Sequence, residues 1–135
     1  MSKLQTSNGT LVGARRELHT RFAAERGSAR AARRELHTLV RHLDHSELQI
    51  AELLTSELVS NSVQHSGTAP NGVVELDVAL DPHMLRVEVR DDGPGFDPQR
   101  GPFPADREWG LQLLDELSDR WGVSPGTTVW FELDR

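Results

Sequence analysis

Ile50-Ala-Glu-Leu-Leu-Thr-Ser-Glu-Leu-Val-Ser-Asn-Ser-Val-Gln-His65 is the stretch from which the rest of the chain can be read. Ile50, Leu54 and Leu58 recur every four residues, with Leu53 and Ala51 beside them, which predicts an amphipathic helix. At about 100° per residue, Glu57, Asn61 and His65 continue that apolar stripe, within about 60° of Ile50. A carboxylate, an amide and an imidazole on an apolar face are costly unless each is paired or bound to something. On this stretch alone two readings stand open. Either the polar groups hold a ligand, or the helix rolls outward and its C-terminal end is wet.

Towards the N-terminus, Asp44 and Ser46 are both candidate caps for this helix, Ser46 having Gln49 three residues on. Ahead of them, Ala29, Ala32, Leu36, Leu39, Val40 and Leu43 line one side of a second amphipathic helix. Its segment Ala32 to Thr38 repeats the heptapeptide Ala14-Arg-Arg-Glu-Leu-His-Thr20. In the first copy Leu18, Thr20 and Phe22 alternate, so it reads as a strand, broken by Glu25-Arg-Gly-Ser28. One copy pair does not make a repeat architecture. Residues 1–12 are polar and read as a flexible tail, leaving 13–135 as a single domain.

Towards the C-terminus, Ser66-Gly67 and the turn-rich residues 68–72 stop the helix. Strict alternation then predicts a strand over Gly72 to Leu80, and Leu85, Val87 and Val89 a second strand beyond the turn Asp81-Pro-His83. That strand runs into Asp91-Asp-Gly-Pro-Gly95 and then a Pro- and Gly-rich stretch without periodicity, which reads as a lid. A helix pattern starts near Trp109-Gly110, carries Leu111, Leu113, Leu114 and Leu117, and ends around Asp119-Arg-Trp-Gly122. Thr127 to Leu133 is the last strand. The order predicts an α+β two-layer sandwich, a mainly antiparallel sheet with helices on one face.

Composition narrows the function classes. The 135 residues suit one domain with a real core, and the absence of cysteine excludes disulfides and thiolate metal sites. No run approaches the ~18 apolar residues of a membrane span, nor is there an N-terminal signal segment, so a cytoplasmic location is expected. A formal net charge of −6 argues against nucleic acid as the main partner. The basic residues nevertheless cluster at Arg15, Arg16, Arg21, Arg26, Arg30, Arg33 and Arg34. The six histidines share no metal-ligand spacing, and Trp109, Trp121 and Trp130 read as packing residues.

Ser56 to His65, followed at the right distance by Val89-Arg-Asp-Asp-Gly-Pro-Gly95, then Trp-Gly-Leu111 and Gly126-Thr-Thr128, resembles the GHKL superfamily of ATP-binding domains (the Bergerat fold). Within it the closest likeness is to the small anti-sigma-factor serine kinases. The resemblance implies ATP and Mg²⁺ as cofactors. It casts Glu57 as general base and Asn61 as the metal residue, with Asp91 recognising the adenine amine and Gly93 and Gly95 letting backbone approach nucleotide. Gly110 and Leu111 would meet phosphate, and Thr128 would lie near adenine. His65 matches a histidine common at this helix end, where it either touches ligand or caps the helix. Glu108 departs from the pattern, which has glycine there.

The implied function is phosphorylation of an anti-anti-sigma-like protein, with binding of a sigma factor or other regulator, often as a homodimer. Alternatives are an ATP-binding switch that acts by protein binding alone and the detached ATP domain of a histidine kinase. No coiled phospho-acceptor helix precedes the domain pattern, and no transducer segment follows it, which favours the first reading over histidine kinases and type II topoisomerases.

Overall fold

The computed structural model describes residues 3–12, 15–41, 43–65, 72–91, 112–124 and 128–135. Helices α1 (Ser28–Val40) and α2 (His45–His65), together with the helical residues 112–117, pack against a sheet of six strands. In chain order these are β1 (Lys3–Val12), β2 (Arg15–Ala23), β3 (Val73–Leu80), β4 (Met84–Asp91), β5 (Arg120–Ser124) and β6 (Thr128–Asp134). The spatial order is β1-β2-β3-β4-β6-β5, and every neighbouring pair is antiparallel. The expected α+β sandwich is the observed architecture.

Alternation gives the sheet its two faces, because successive side chains on a strand point to opposite sides. The register lines up Leu18, Val78, Val87 and Phe131 across four strands, and beside them Thr20, Leu76, Val89 and Val129. These residues are buried under the helices. From the helices come Ala31, Ala32, Leu36, Leu39 and Val40 of α1, and Ala51, Leu54, Leu58 and Val59 of α2. Each fully buried Leu, Val or Phe among them contributes roughly 1.5–3 kcal/mol.

Local chemistry sets the helix ends. Gly27, at φ 102°, takes the left-handed conformation before α1 that residues with a Cβ avoid. The buried Ser28 hydroxyl donates to the Ala23 carbonyl at 2.7 Å, fixing the turn from β2 into α1. Of the two candidate caps for α2, Asp44 serves: its Oδ1 accepts from the Glu47 N–H at 2.9 Å. That hydrogen bond, the largest influence on it, holds the Asp44 carboxyl below its usual range.

Two expectations are corrected. Residues Lys3–Val12, read as a tail because they are polar, form β1 and pair with β2 along their length, with register shifts between Lys3 and Gln5 and between Asn8 and Thr10. An edge strand is held by backbone hydrogen bonds and needs little apolar patterning of its own. The helix expected to run to Gly122 covers residues 112–117 of the described chain, and Arg120–Ser124 is instead strand β5. Trp121 and Val123 point to the helix side, opposite Phe131 and Val129, while Gly122 leaves room for the Trp130 ring. A Cβ on Gly122 would lie 2.7 Å from Trp130 Cζ2.

Candidate functional site

Helix α2 runs along β4, and one ion pair fixes the direction. Arg135, after the end of β6, reaches Glu47 in the first turn of α2 at 3.7 Å, and its backbone N–H donates to the His83 carbonyl at 2.9 Å. The start of α2 therefore sits at the start of β4. From Glu47 to Asn61 the helix rises about 21 Å, and from Met84 to Asp91 the strand extends about 24 Å. Glu57 and Asn61 consequently lie towards the end of the sheet at which β4 delivers Asp91.

The burial of α2 refines the stripe read from sequence. Its core face is Ala51, Leu54, Thr55, Leu58, Val59 and Ser62, whereas Leu53 is 41% exposed. Glu57 and Asn61 flank that face and are partly buried. They occupy the boundary between the packed layer and the outside, one helical turn apart. Partial desolvation raises the Glu57 carboxyl above its ordinary value of 4.5. A carboxylate so placed takes up a proton more readily than one in water. His65 is the last residue of α2, and its side chain lies outside the described residues.

Asp91 is the last residue of β4 and is 7% exposed. The register places it opposite Val74, which in turn stands opposite Phe22, so its carboxylate belongs to the helix-covered face. Among the described residues it is the only charged side chain buried to this degree. Solvating a carboxylate there requires hydrogen-bond partners, and an exocyclic amine is one that fits.

Thr128 is not brought to Asp91. It pairs with Arg90, and its hydroxyl accepts from Arg90 Nε at 3.2 Å on the uncovered face. Arg90 and Asp91 are consecutive residues of one strand and point to opposite sides. The register thus puts the Thr128 side chain on the face of the sheet opposite the Asp91 carboxylate. Gly93, Gly95, Gly110 and Leu111, with Glu108, lie outside the described residues.

Sequence reasoning named Arg21 only as one of a basic cluster and did not connect Arg21, Glu75 and Arg90. With Val73 and Asp91 they wall a cleft of about 200 Å³ at this end of the sheet. Glu75 pairs with Arg21 at 3.3 Å and with Arg90 at 3.7 Å. Their alternation with the buried residues of β2, β3 and β4 was the available signal. A larger cleft, about 340 Å³, lies on the uncovered face among Arg15, Glu17, His19, Asp77, Ala79, Arg86 and Glu88. Its polar side chains pair with one another: Arg15 with Glu17 at 2.9 Å, His19 with Asp77 at 2.5 Å, Arg86 with Glu88 at 2.8 Å. It lies apart from the Glu57, Asn61 and Asp91 end of the fold.

No group of three or more His, Cys, Asp or Glu side chains suited to a metal occurs among the described residues. One amide oxygen, Asn61, is a hard donor of the kind Mg²⁺ accepts when phosphates and waters complete its shell. The donor set thus fits a metal carried in with a polyphosphate.

Residues 22–133 match the histidine kinase-like ATPase domain, a span that takes in both helices and the sheet from the end of β2 to β6. The chain belongs to that family. It is a GHKL-type ATPase domain, and membership implies ATP binding. Among curated proteins this domain is similar to the anti-sigma F factor of Geobacillus stearothermophilus, 28% identical over 87% of this chain and 92% of that protein. The anti-sigma F factors of Geobacillus kaustophilus (strain HTA426) and Geobacillus thermodenitrificans (strain NG80-2) match over the same shares at 28% and 29%. Among the described residues no helix of the domain is long and apolar enough to cross a membrane.

Proposed function

We propose that this ATPase domain is a Mg²⁺-dependent protein-serine kinase of the anti-sigma type. Its substrate would be an anti-anti-sigma-like protein, and it would bind a sigma factor or similar regulator. One observation carries the reading. The one carboxylate deeply buried among the described residues, Asp91, and the flanking pair Glu57 and Asn61 lie towards one end of the two layers. The similarity to anti-sigma F factors supports the choice of protein partners.

When bound, Mg-ATP supplies the phosphoryl group and its activation. The chain's own residues have separate tasks. Asp91 accepts a hydrogen bond from the adenine amine, which guanine cannot offer because it carries a carbonyl there. Asn61 offers its amide oxygen to the metal. Glu57 takes the proton of the attacking serine hydroxyl as that oxygen bonds to the γ-phosphorus and the bond to the β-phosphate oxygen breaks. Desolvation of Glu57 suits it to that task. Gly93 and Gly95 would admit backbone close to nucleotide, Gly110 and Leu111 would face phosphate, and His65 stands at the same helix end.

The test is incubation with labelled ATP, Mg²⁺ and candidate anti-anti-sigma-like proteins, using wild type, Glu57→Ala and Asn61→Ala. The expected result is serine phosphate on a partner, lost in both variants. Nucleotide binding without transfer to any partner would favour a switch acting by protein binding alone. Absence of ATP binding in the wild type would sink both.

A further inference from the structure

Helix α1 turns away from the core a stripe that folding does not use. Arg30, Arg33, Arg34, His37 and Arg41 recur at i, i+3, i+4, i+7 and i+11, and all are exposed. Arg26, in the turn before the helix, extends the line. The buried positions Ala31, Ala32, Leu36, Leu39 and Val40 lie on the other side. From Arg30 to Arg41 the stripe is about 16 Å long.

Two features separate it from an ordinary solvated surface. Among the described residues the arginines elsewhere in the fold, Arg16 excepted, are paired: Arg15, Arg21, Arg86, Arg90, Arg120 and Arg135 each reach a carboxylate. Among the described residues none of Arg26, Arg30, Arg33, Arg34 and Arg41 does so. Among the described residues, the stripe's one contact with a carboxylate is His37 Nδ1 to Glu52 of α2, at 2.8 Å. Moreover, the arrangement works against the helix itself. Like charges stack at i+3 and i+4, Arg30 lies near the positive end of the helix dipole, and the first turn holds no acid. An anionic partner relieves every one of these repulsions.

We infer that the Arg26 to Arg41 ridge of α1 is a docking surface for a short acidic segment of another protein. Its size and surroundings choose that occupant. The chain is at −6 even with these five arginines counted, so its remaining surface is strongly acidic. A duplex or an anionic membrane extends past a 16 Å ridge and meets that repelling surface, whereas a short acidic peptide fits within it. The ridge is also separate from the proposed transfer site. Glu52, which contacts α1, and Glu57 lie about 140° apart around α2, so α1 packs on the flank of α2 away from Glu57 and Asn61. Docking here leaves the nucleotide end of the fold uncovered.

The experiment uses a fluorescein-labelled peptide rich in Glu and Asp, with anisotropy read at low and high salt. Proteins compared are wild type, a variant combining Arg30→Glu, Arg33→Glu and Arg34→Glu, a matching set of Arg→Gln changes, and Arg16→Glu as an exposed control on β2. Circular dichroism and binding of an ATP analogue report folding. The expected result is saturable binding to wild type that weakens with salt, falls at least ten-fold in the Glu set and measurably in the Gln set, and changes little in Arg16→Glu. Absent binding to wild type, or binding indifferent to the folded Gln set, overturns the proposal. So does equal or tighter binding of a DNA duplex or of phosphatidylserine vesicles.

Discussion

On the helix-covered face of the sheet, four strands contribute Leu18, Val78, Val87 and Phe131 to one row, and two rows along Phe22 and Val74 stand in line with Asp91. On the uncovered face the matching positions carry Glu17, Ala79, Arg86, Glu132 and Arg120. There Arg86 joins Glu88 and Glu132 at 2.8 Å and lies 4.3 Å from the centre of the Trp130 ring. Arg120 joins Glu132 at 2.7 Å and also bonds Asp134. The two faces give the same residue types opposite meanings. A charge on the uncovered face is cheap, since water and neighbours solvate it, and it implies no ligand. A carboxylate on the covered face is expensive, and one such as Asp91 is tolerated there only where polar partners solvate it.

The contrast can be tested from its largest consequence downward. Phe131→Ala should cost about 3–5 kcal/mol in urea unfolding, because it leaves a cavity in the centre of the covered face. A loss no greater than that of an uncovered-face change would break the comparison. Asp91→Asn keeps shape but removes the charge. It should weaken ATP-analogue binding by roughly 10–100-fold in calorimetry, the value of a charge-assisted hydrogen bond, and leave stability within about 1 kcal/mol. Gly122→Ala pushes against the Trp130 ring and should cost about 1–2 kcal/mol, less than a core change, because that ring stands on the open side. Arg86→Ala should cost about 1 kcal/mol or less, and that loss should shrink further in high salt.

Glu57 sits on α2 at the boundary between the packed layer and solvent, and its titration sharpens the comparison. Burial raises its folded-state value above 4.5, so the folded chain binds this proton more tightly than the unfolded chain. Its favourable contribution is present below the unfolded value and lost as pH rises through the raised folded value. Glu57→Gln should therefore be stabilising relative to wild type at pH 7 and less so at pH 4. The difference should stay under about 1 kcal/mol, since solvent screens a partly exposed group. A phosphotransfer rate that depends on ionised Glu57 should fall as pH drops through that same raised value. A rate that does not fall on acidification towards the ordinary carboxylate value of 4.5 would count against Glu57 as the base.

Where local patterning was strong, the sequence was sufficient. Alternation placed β2, β3, β4 and β6, and the three-to-four spacing of Leu and Ala placed α1 and α2, because these periods follow from backbone geometry. It even separated the two copies of the heptapeptide: Leu18 and Phe22 carry the first copy into β2, while Ala32, Leu36 and Leu39 seat the second in α1. Long-range pairing was not legible in that way. Strand β1 joins an edge by backbone bonds that leave no mark in its side chains, and β5 exists because β6 offers Val129 and Phe131 to pair with. Only the tertiary structure turned Thr128 towards Arg90, since a register is a relation between strands. The same holds for α2, whose sequence supplied Glu57 and Asn61 one turn apart. Packing on the sheet then decided that Leu54, Leu58 and Val59 go inward, leaving that pair at the rim.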